Sequence, residues 1–232
     1  MTRIWLKYRA PFAAFRMFQA GDYRSTWPTI PPSAAWGLVL NLAGIDIRGE
    51  ERGGITTIRP DAPPLRLSLG SFADPELAVL LQQLHVYPVG NSGEELAERT
   101  HGAKYWIKPI RREFLVDCAG AIGIETEDAD LGKAIAAGLR GDGASRYGLP
   151  FAGDNQLLFD RLEIADAPGR ARWWVQADEP LPGRPAFRLT VAIDRVDSQK
   201  TRGGMFTLEQ EERDLPPDLA WCWTPRAPEV VA

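Results

Sequence analysis

The stretch Gly138-Leu-Arg-Gly-Asp-Gly-Ala-Ser-Arg-Tyr-Gly-Leu-Pro-Phe-Ala-Gly153 follows a segment that reads as a helix, residues 130–140, and precedes an apolar run at 157–164. It holds five glycines and two arginines, Arg140 and Arg146. Glycines let backbone N–H groups come close to a ligand, and consecutive amides in such a loop form a concave anion site. With arginines beside them, the matching ligand is a phosphate or a phosphodiester backbone. Arg140, Gly141, Gly143 and Arg146 are therefore candidate nucleic-acid contacts. The competing reading is a plain surface loop whose arginines pair with Asp142 or Asp154.

Working outward from this loop sets the fold class. Residues 4–9 alternate apolar and charged side chains and predict an opening strand. Residues 9–30 read as an aromatic loop, broken by Pro31-Pro-Ser33. Ser33 is the candidate N-cap of a buried helix over 34–43, whose N-terminus presents partial positive charge. Residues 49–64 read as a polar excursion and 65–69 as a strand. Residues 76–84 fit a helix or a strand, and periodicity leaves both open. A polar, exposed insertion covers 90–104, and strands are expected at 107–117 and 121–125 with a turn near Gly120. The resulting order is strand, helix, strand, insertion, strand, helix, glycine loop, strand. That is the βαββαβ order of an α+β, ferredoxin-like or RRM-like domain over residues 1–165. Residues 166–232 read as a small β-rich segment.

Composition narrows the function classes. The chain has 232 residues, 44% of them apolar, and can bury a sizeable core. Its formal net charge of −4 argues against a free-standing basic nucleic-acid binder. The charge is uneven, however. Residues 1–26 carry Arg3, Lys7, Arg9, Arg16 and Arg24 against Asp22 alone. Residues 99–112 carry Arg99, Lys104, Lys108, Arg111 and Arg112 with no acid, whereas Glu209, Glu211, Glu212, Asp214 and Asp218 gather elsewhere. A local basic surface in an acidic chain fits a subunit that meets nucleic acid on one side and protein on others. Cys118 and Cys222 lack metal-ligand spacing and suit a reducing cytosol. No metal or cofactor is expected. The charges within residues 1–9 argue against a signal peptide, and no apolar run approaches ~18 residues, so the expectation is a cytoplasmic protein with no membrane partner.

Four segments resemble a known family. They are Arg9-Ala-Pro-Phe-Ala-Ala-Phe-Arg16 leading to Tyr23-Arg-Ser-Thr-Trp-Pro28; Pro31-Pro-Ser-Ala-Ala-Trp-Gly-Leu-Val-Leu-Asn-Leu-Ala-Gly44; Leu81-Gln-Gln-Leu-His-Val-Tyr-Pro-Val-Gly90 with Pro109-Ile-Arg-Arg-Glu-Phe-Leu-Val-Asp117; and Arg146-Tyr-Gly-Leu-Pro-Phe-Ala-Gly-Asp154. In that order, over about residues 4–164, they resemble the fifth family of CRISPR-associated (Cas) proteins, of the RAMP superfamily, in its DevS-like branch. The resemblance implies an RRM-like RAMP domain with an inserted β-hairpin thumb, here about residues 90–108, and a glycine-rich loop at 138–153. It implies a subunit of a type I Cascade surveillance complex that grips the 5′ handle of the CRISPR RNA in antiviral defence. Its partners would be that RNA, the repeated backbone subunit and the large subunit, with target DNA met indirectly through the complex.

Under this reading Lys104 and Lys108 sit in or at the base of the thumb. Arg111 and Arg112 begin a strand and point to opposite faces, so at most one of them faces the RNA. Arg16, Arg24 and Ser33 are further candidate contacts, and Tyr23, in a polar stretch, is the candidate stacking platform for a splayed base. Trp36 and His85 read as core residues. The alternative reading is a metal-independent endoribonuclease that processes precursor CRISPR RNA, for which Tyr23, His101 and Lys104 are the available acid–base groups. One branch of the family cuts with a tyrosine and an adjacent lysine-histidine pair. No Lys-His dipeptide occurs in this sequence, and the expectation is a non-catalytic scaffold. A protein-only interaction module is the third possibility, supported if the candidate cations all prove to be paired with acids.

Overall fold

A computed structural model describes residues 2–17, 22–88, 105–143, 145–177 and 183–228. In chain order its elements are β1 (Thr2–Ala13), β2 (Tyr23–Arg24), α1 (Pro32–Leu42), β3 (Arg48–Arg52), β4 (Ile55–Ile58), β5 (Leu65–Ser71), β6 (Glu76–Pro88), β7 (Tyr105–Thr126), α2 (Leu131–Arg140), β8 (Arg161–Ala165), β9 (Arg172–Gln176), β10 (Ala186–Ala192), β11 (Arg202–Leu208) and β12 (Cys222–Thr224). The protein is α+β and mostly antiparallel sheet. Among the described residues, one sheet runs β10–β11–β9–β5–β7–β1–β8, with β2 and β6 on β7 and β12 on β5.

β1 lies inside this sheet, between β7 and β8, with one face apolar and Trp5 the buried residue of the other. Ile4, Leu6, Tyr8 and Ala10 join the core built with the helices, while Trp5 turns to the other face and packs against Trp173 and Trp221. α1 is buried along Ala35, Trp36, Val39, Leu40 and Leu42, as a helix without a polar face must be. α2 is amphipathic and buries Leu131, Ile135 and Gly138, one turn apart. The two helices meet where Gly138 lies on the Leu42 carbonyl, a position that a Cβ would overlap. Trp36 is core, and its indole N–H donates to the Pro63 carbonyl at 2.8 Å. Trp173, Trp174 and Trp221 are likewise buried.

Glu125, buried in β7, is held by two arginines: Arg3 Nε donates to one carboxylate oxygen at 2.8 Å and Arg66 Nη1 to the other at 2.6 Å. Both guanidiniums lie over the Trp221 ring. A charge taken out of water needs such complete pairing. The cluster ties β1, β5 and β7 to the C-terminal segment.

Several sequence expectations are corrected. Residues 107–125 form one strand, with no turn at Gly120. Gly120 and Gly123 mark close approach instead: a Cβ on Gly123 would stand 2.6 Å from the Trp5 ring, and one on Gly120 would stand 2.7 Å from the Tyr8 hydroxyl. The strand's irregularity falls at Asp117, with φ 54°, opposite Pro11, which cannot donate to the ladder. Ser33 does not cap α1; Pro31 holds the cap position, no side chain caps the helix, and Ser33 lies within its first turn. Strand β1 runs on to Ala13, into the segment expected to be loop, and the polar excursion contains the β3–β4 hairpin. The ambiguous 76–84 stretch is part of β6, which pairs with β7 from Glu76–Val116 to Pro88–Tyr105. Of the expected thumb, residues 89–104 lie outside the described residues. No helix in the described residues is long and apolar enough to cross a membrane.

Candidate nucleic-acid interface

The long β6–β7 hairpin leaves the sheet beside the end of β1, and β2 adds to it in parallel, Tyr23 pairing with Arg111 and Arg24 with Arg112. An isolated bridge joins Arg16 to Thr26 just beyond β1. The turn that ends the glycine-rich loop docks on the same place: Ala14 N–H donates to the Ala152 carbonyl at 2.9 Å. These three arrivals enclose a cleft of about 200 Å³ lined by Ala14, Arg16, Arg24, Ser25, Arg112, Glu113, Gly153 and Asp154.

The cleft therefore brings three candidate arginines together from well-separated parts of the chain. Its two carboxylates are already engaged. Glu113 accepts the Tyr23 hydroxyl at 2.7 Å through one oxygen and the Thr26 N–H at 3.0 Å through the other. Asp154 pairs with Arg112 and also accepts the Gln156 N–H at 3.1 Å. Arg16 and Arg24 have no carboxylate within ion-pair distance among the described residues, and the buried Nε–H of Arg24 has no acceptor. Burial, then the guanidiniums of Arg16 and Arg112, push the Arg24 guanidinium below its ordinary pKa, with Asp154 opposing them. The cleft has a surplus of positive charge and an unmet donor, and an anion would satisfy both.

The other candidates lie elsewhere. Arg140 forms an exposed pair with Asp142 at 3.1 Å, and Arg146 Nη1 donates to the Gly138 carbonyl at 3.3 Å. Gly141 takes the left-handed conformation, φ 83°, that closes α2, with the Asp142 N–H donating to the Ala137 carbonyl. Gly143 packs on Gly138. These glycines shape the helix end, a role that their composition alone does not separate from anion binding. Ser33 is half-buried in α1 and does not line the cleft. Lys108 pairs with Asp22, and Arg111 is exposed beside it. His101, Lys104 and Arg99 lie outside the described residues, as does the side chain of His85. Asp154 belongs to the cleft although its sequence neighbours suggested a pairing with Arg140 or Arg146, and Glu113 had no sequence signal at all.

Tyr23 is exposed at the rim. Its bond to Glu113 raises its pKa from the ordinary value. A phenol in this state is a donor at neutral pH rather than a base.

The chain has the fold of a chain from a "CRISPR RNA-guided surveillance complex". The two are 15% identical, the match covers 94% of this chain and 92% of the other, and the TM-score is 0.57. A second solved chain, described as "Crystal structure of Cas protein", is 16% identical over 93% of this chain and 95% of its own, with a TM-score of 0.49. No family model matches the sequence, and no curated protein matches it.

Proposed function

We propose that this chain is a non-catalytic RNA-binding subunit of a CRISPR RNA-guided surveillance complex, and that it grips the 5′ handle of the CRISPR RNA. The observation that carries the reading is the convergence of Arg16, Arg24 and Arg112 at the base of the β6–β7 hairpin, with two of the three lacking an acid. A phosphodiester backbone supplies what the cleft lacks, and the arginine fork matches its oxygens. The shared fold with a chain of such a complex supports the same conclusion. The order β8–β1–β7–β5, antiparallel throughout, with α1 and α2 as the two crossovers, supports a ferredoxin-like RAMP domain. The β6–β7 hairpin is then the thumb, and Tyr23 at its base is the surface on which a base stacks. As such a subunit the protein works in the cytoplasm beside the repeated backbone subunit and the large subunit, and target DNA reaches it through the guide.

The scaffold reading is favoured over the endoribonuclease by the absence of a Lys-His dipeptide from the sequence. The test is fluorescence anisotropy with a labelled CRISPR repeat RNA, followed by a denaturing gel. Arg24→Ala/Arg112→Ala weakens binding about tenfold, whereas Arg140→Ala/Arg146→Ala changes it about twofold or less, and the RNA is recovered uncut. Equal losses from both pairs would move the site to the glycine loop. Cleavage lost in Tyr23→Phe would establish the nuclease instead.

A further inference from the structure

A second cleft, of about 650 Å³, shares no lining residue with that of the arginine triad. It opens between the β3–β4 hairpin and the 193–200 segment, with Arg226 at its edge. Its walls are tied together: Arg195 Nη1 donates to the Thr56 carbonyl at 3.4 Å, and Arg226 Nη2 to the Pro60 carbonyl at 2.7 Å. Arg202 holds the Pro225 carbonyl and so fixes the backbone next to Arg226.

The carboxylates that line this cleft all have partners. Asp194 accepts the N–H groups of Val196 and Asp197 at 2.9 and 2.8 Å. Asp197 accepts the Gln199 N–H and pairs with Lys200, and Glu50 pairs with Arg52. Arg59 is held by Asp61. Arg195 and Arg226 are different, because their hydrogen bonds go to carbonyls, which leaves their charges without an acid among the described residues. Ile193 and Val196 are exposed beside them, at 48% and 57%.

We infer that this cleft docks an acidic, aliphatic-bearing segment of a partner protein, with a carboxylate on Arg195 and Arg226 and an apolar side chain on Ile193 and Val196. Charge complementarity selects an acid. The choice between peptide and nucleic acid rests on the lining. It contains no aromatic side chain on which a base could stack, and Glu50, Asp194 and Asp197 would repel a run of phosphates. A segment with one or two carboxylates between aliphatic residues meets neither obstacle. The inference does not depend on the RNA reading, since it concerns different residues.

The test is selection of phage-displayed random peptides of about 12 residues on the full chain, with the winners measured as synthetic peptides by anisotropy. Winners rich in Asp or Glu with Leu, Ile or Val are expected, losing about tenfold in affinity when Glu and Asp become Gln and Asn, and again in Arg195→Glu/Arg226→Glu. Hydrogen exchange on the wild type guards against a misfolded variant: the peptide should protect residues 49–59 and 193–200. Repeat RNA binding should stay within about twofold in the variant, so failure here is separable from failure of the triad. No enrichment, winners indifferent to the charge reversal, protection elsewhere, or competition by RNA would each overturn the proposal.

Discussion

Asp154 restrains the positive charge of the arginine cleft. Its carboxylate faces Arg112, and its loss leaves three guanidiniums around a cleft whose remaining acid, Glu113, is held by Tyr23 and the Thr26 amide. Asp154→Asn should tighten binding of a short single-stranded RNA about threefold at low salt, measured by anisotropy, with the gain vanishing at high salt. An unchanged affinity would mean that phosphate does not enter the cleft. Cys118 gives a test of the core at the same scale. Burial pushes its thiol up to about 12, and that of Cys222 up to about 11. An unfolded thiol titrates near about 8.5, so the folded state holds these protons more tightly. The stability linked to them is complete below about pH 8.5 and is lost as pH rises toward the folded values. Urea midpoints should fall over that alkaline range, and a Cys118→Ala variant should show a shallower fall.

At the scale of elements, glycines settle how the layers meet. Helix α2 reaches α1 only because Gly138 has no side chain against the Leu42 carbonyl. Gly138→Ala should cost about 1–3 kcal/mol in chemical denaturation, because the helices must part, and the loss should exceed that of Ala137→Gly in the same helix. In β7, Gly123 makes room for Trp5. Sequence reading found α1, α2 and most strands, because an apolar run behind a Pro-Pro-Ser stop and an alternating run are local properties. It missed the continuity of β7, because a glycine under an aromatic ring looks like a glycine in a turn until the ring's position is known. It left 76–84 open for a similar reason: Leu77, Val79, Leu80 and Leu81 are exposed on the hairpin and display no buried face to set a period.

For the whole molecule, a net charge of −4 coexists with two cationic clefts because charge is sorted by place. The proposed RNA contact should therefore be strongly salt-dependent despite the acidic total. The slope of log K against log salt should flatten by about 0.7 for each phosphate contact removed, so that Arg16→Ala/Arg24→Ala/Arg112→Ala loses about 2 from it. A slope unchanged in the triple variant would place the electrostatic contact elsewhere. The sheet also carries the C-terminal segment: β9 pairs with β5 at Gly70 and Ser71, and β12 pairs with it at Leu65–Leu67. Of the late tryptophans, Trp173 and Trp221 thereby become core against Trp5, while Trp174 joins the core on the other face against Phe187.

What the sequence determined by itself was whatever is encoded in neighbours: the α+β order, the two helices and the uneven charge. The residues of the candidate site were nearly all nameable, since Arg16, Tyr23, Arg24 and Arg112 each stood out by type and setting. Their grouping was not. Only the tertiary structure brought Arg16, Arg24 and Arg112 into one cleft with Asp154 and left Arg140 to a local pair with Asp142. The physical reason is that an arginine's role depends on which acid lies within a few ångströms, and that distance is set by strand pairing between residues about a hundred positions apart.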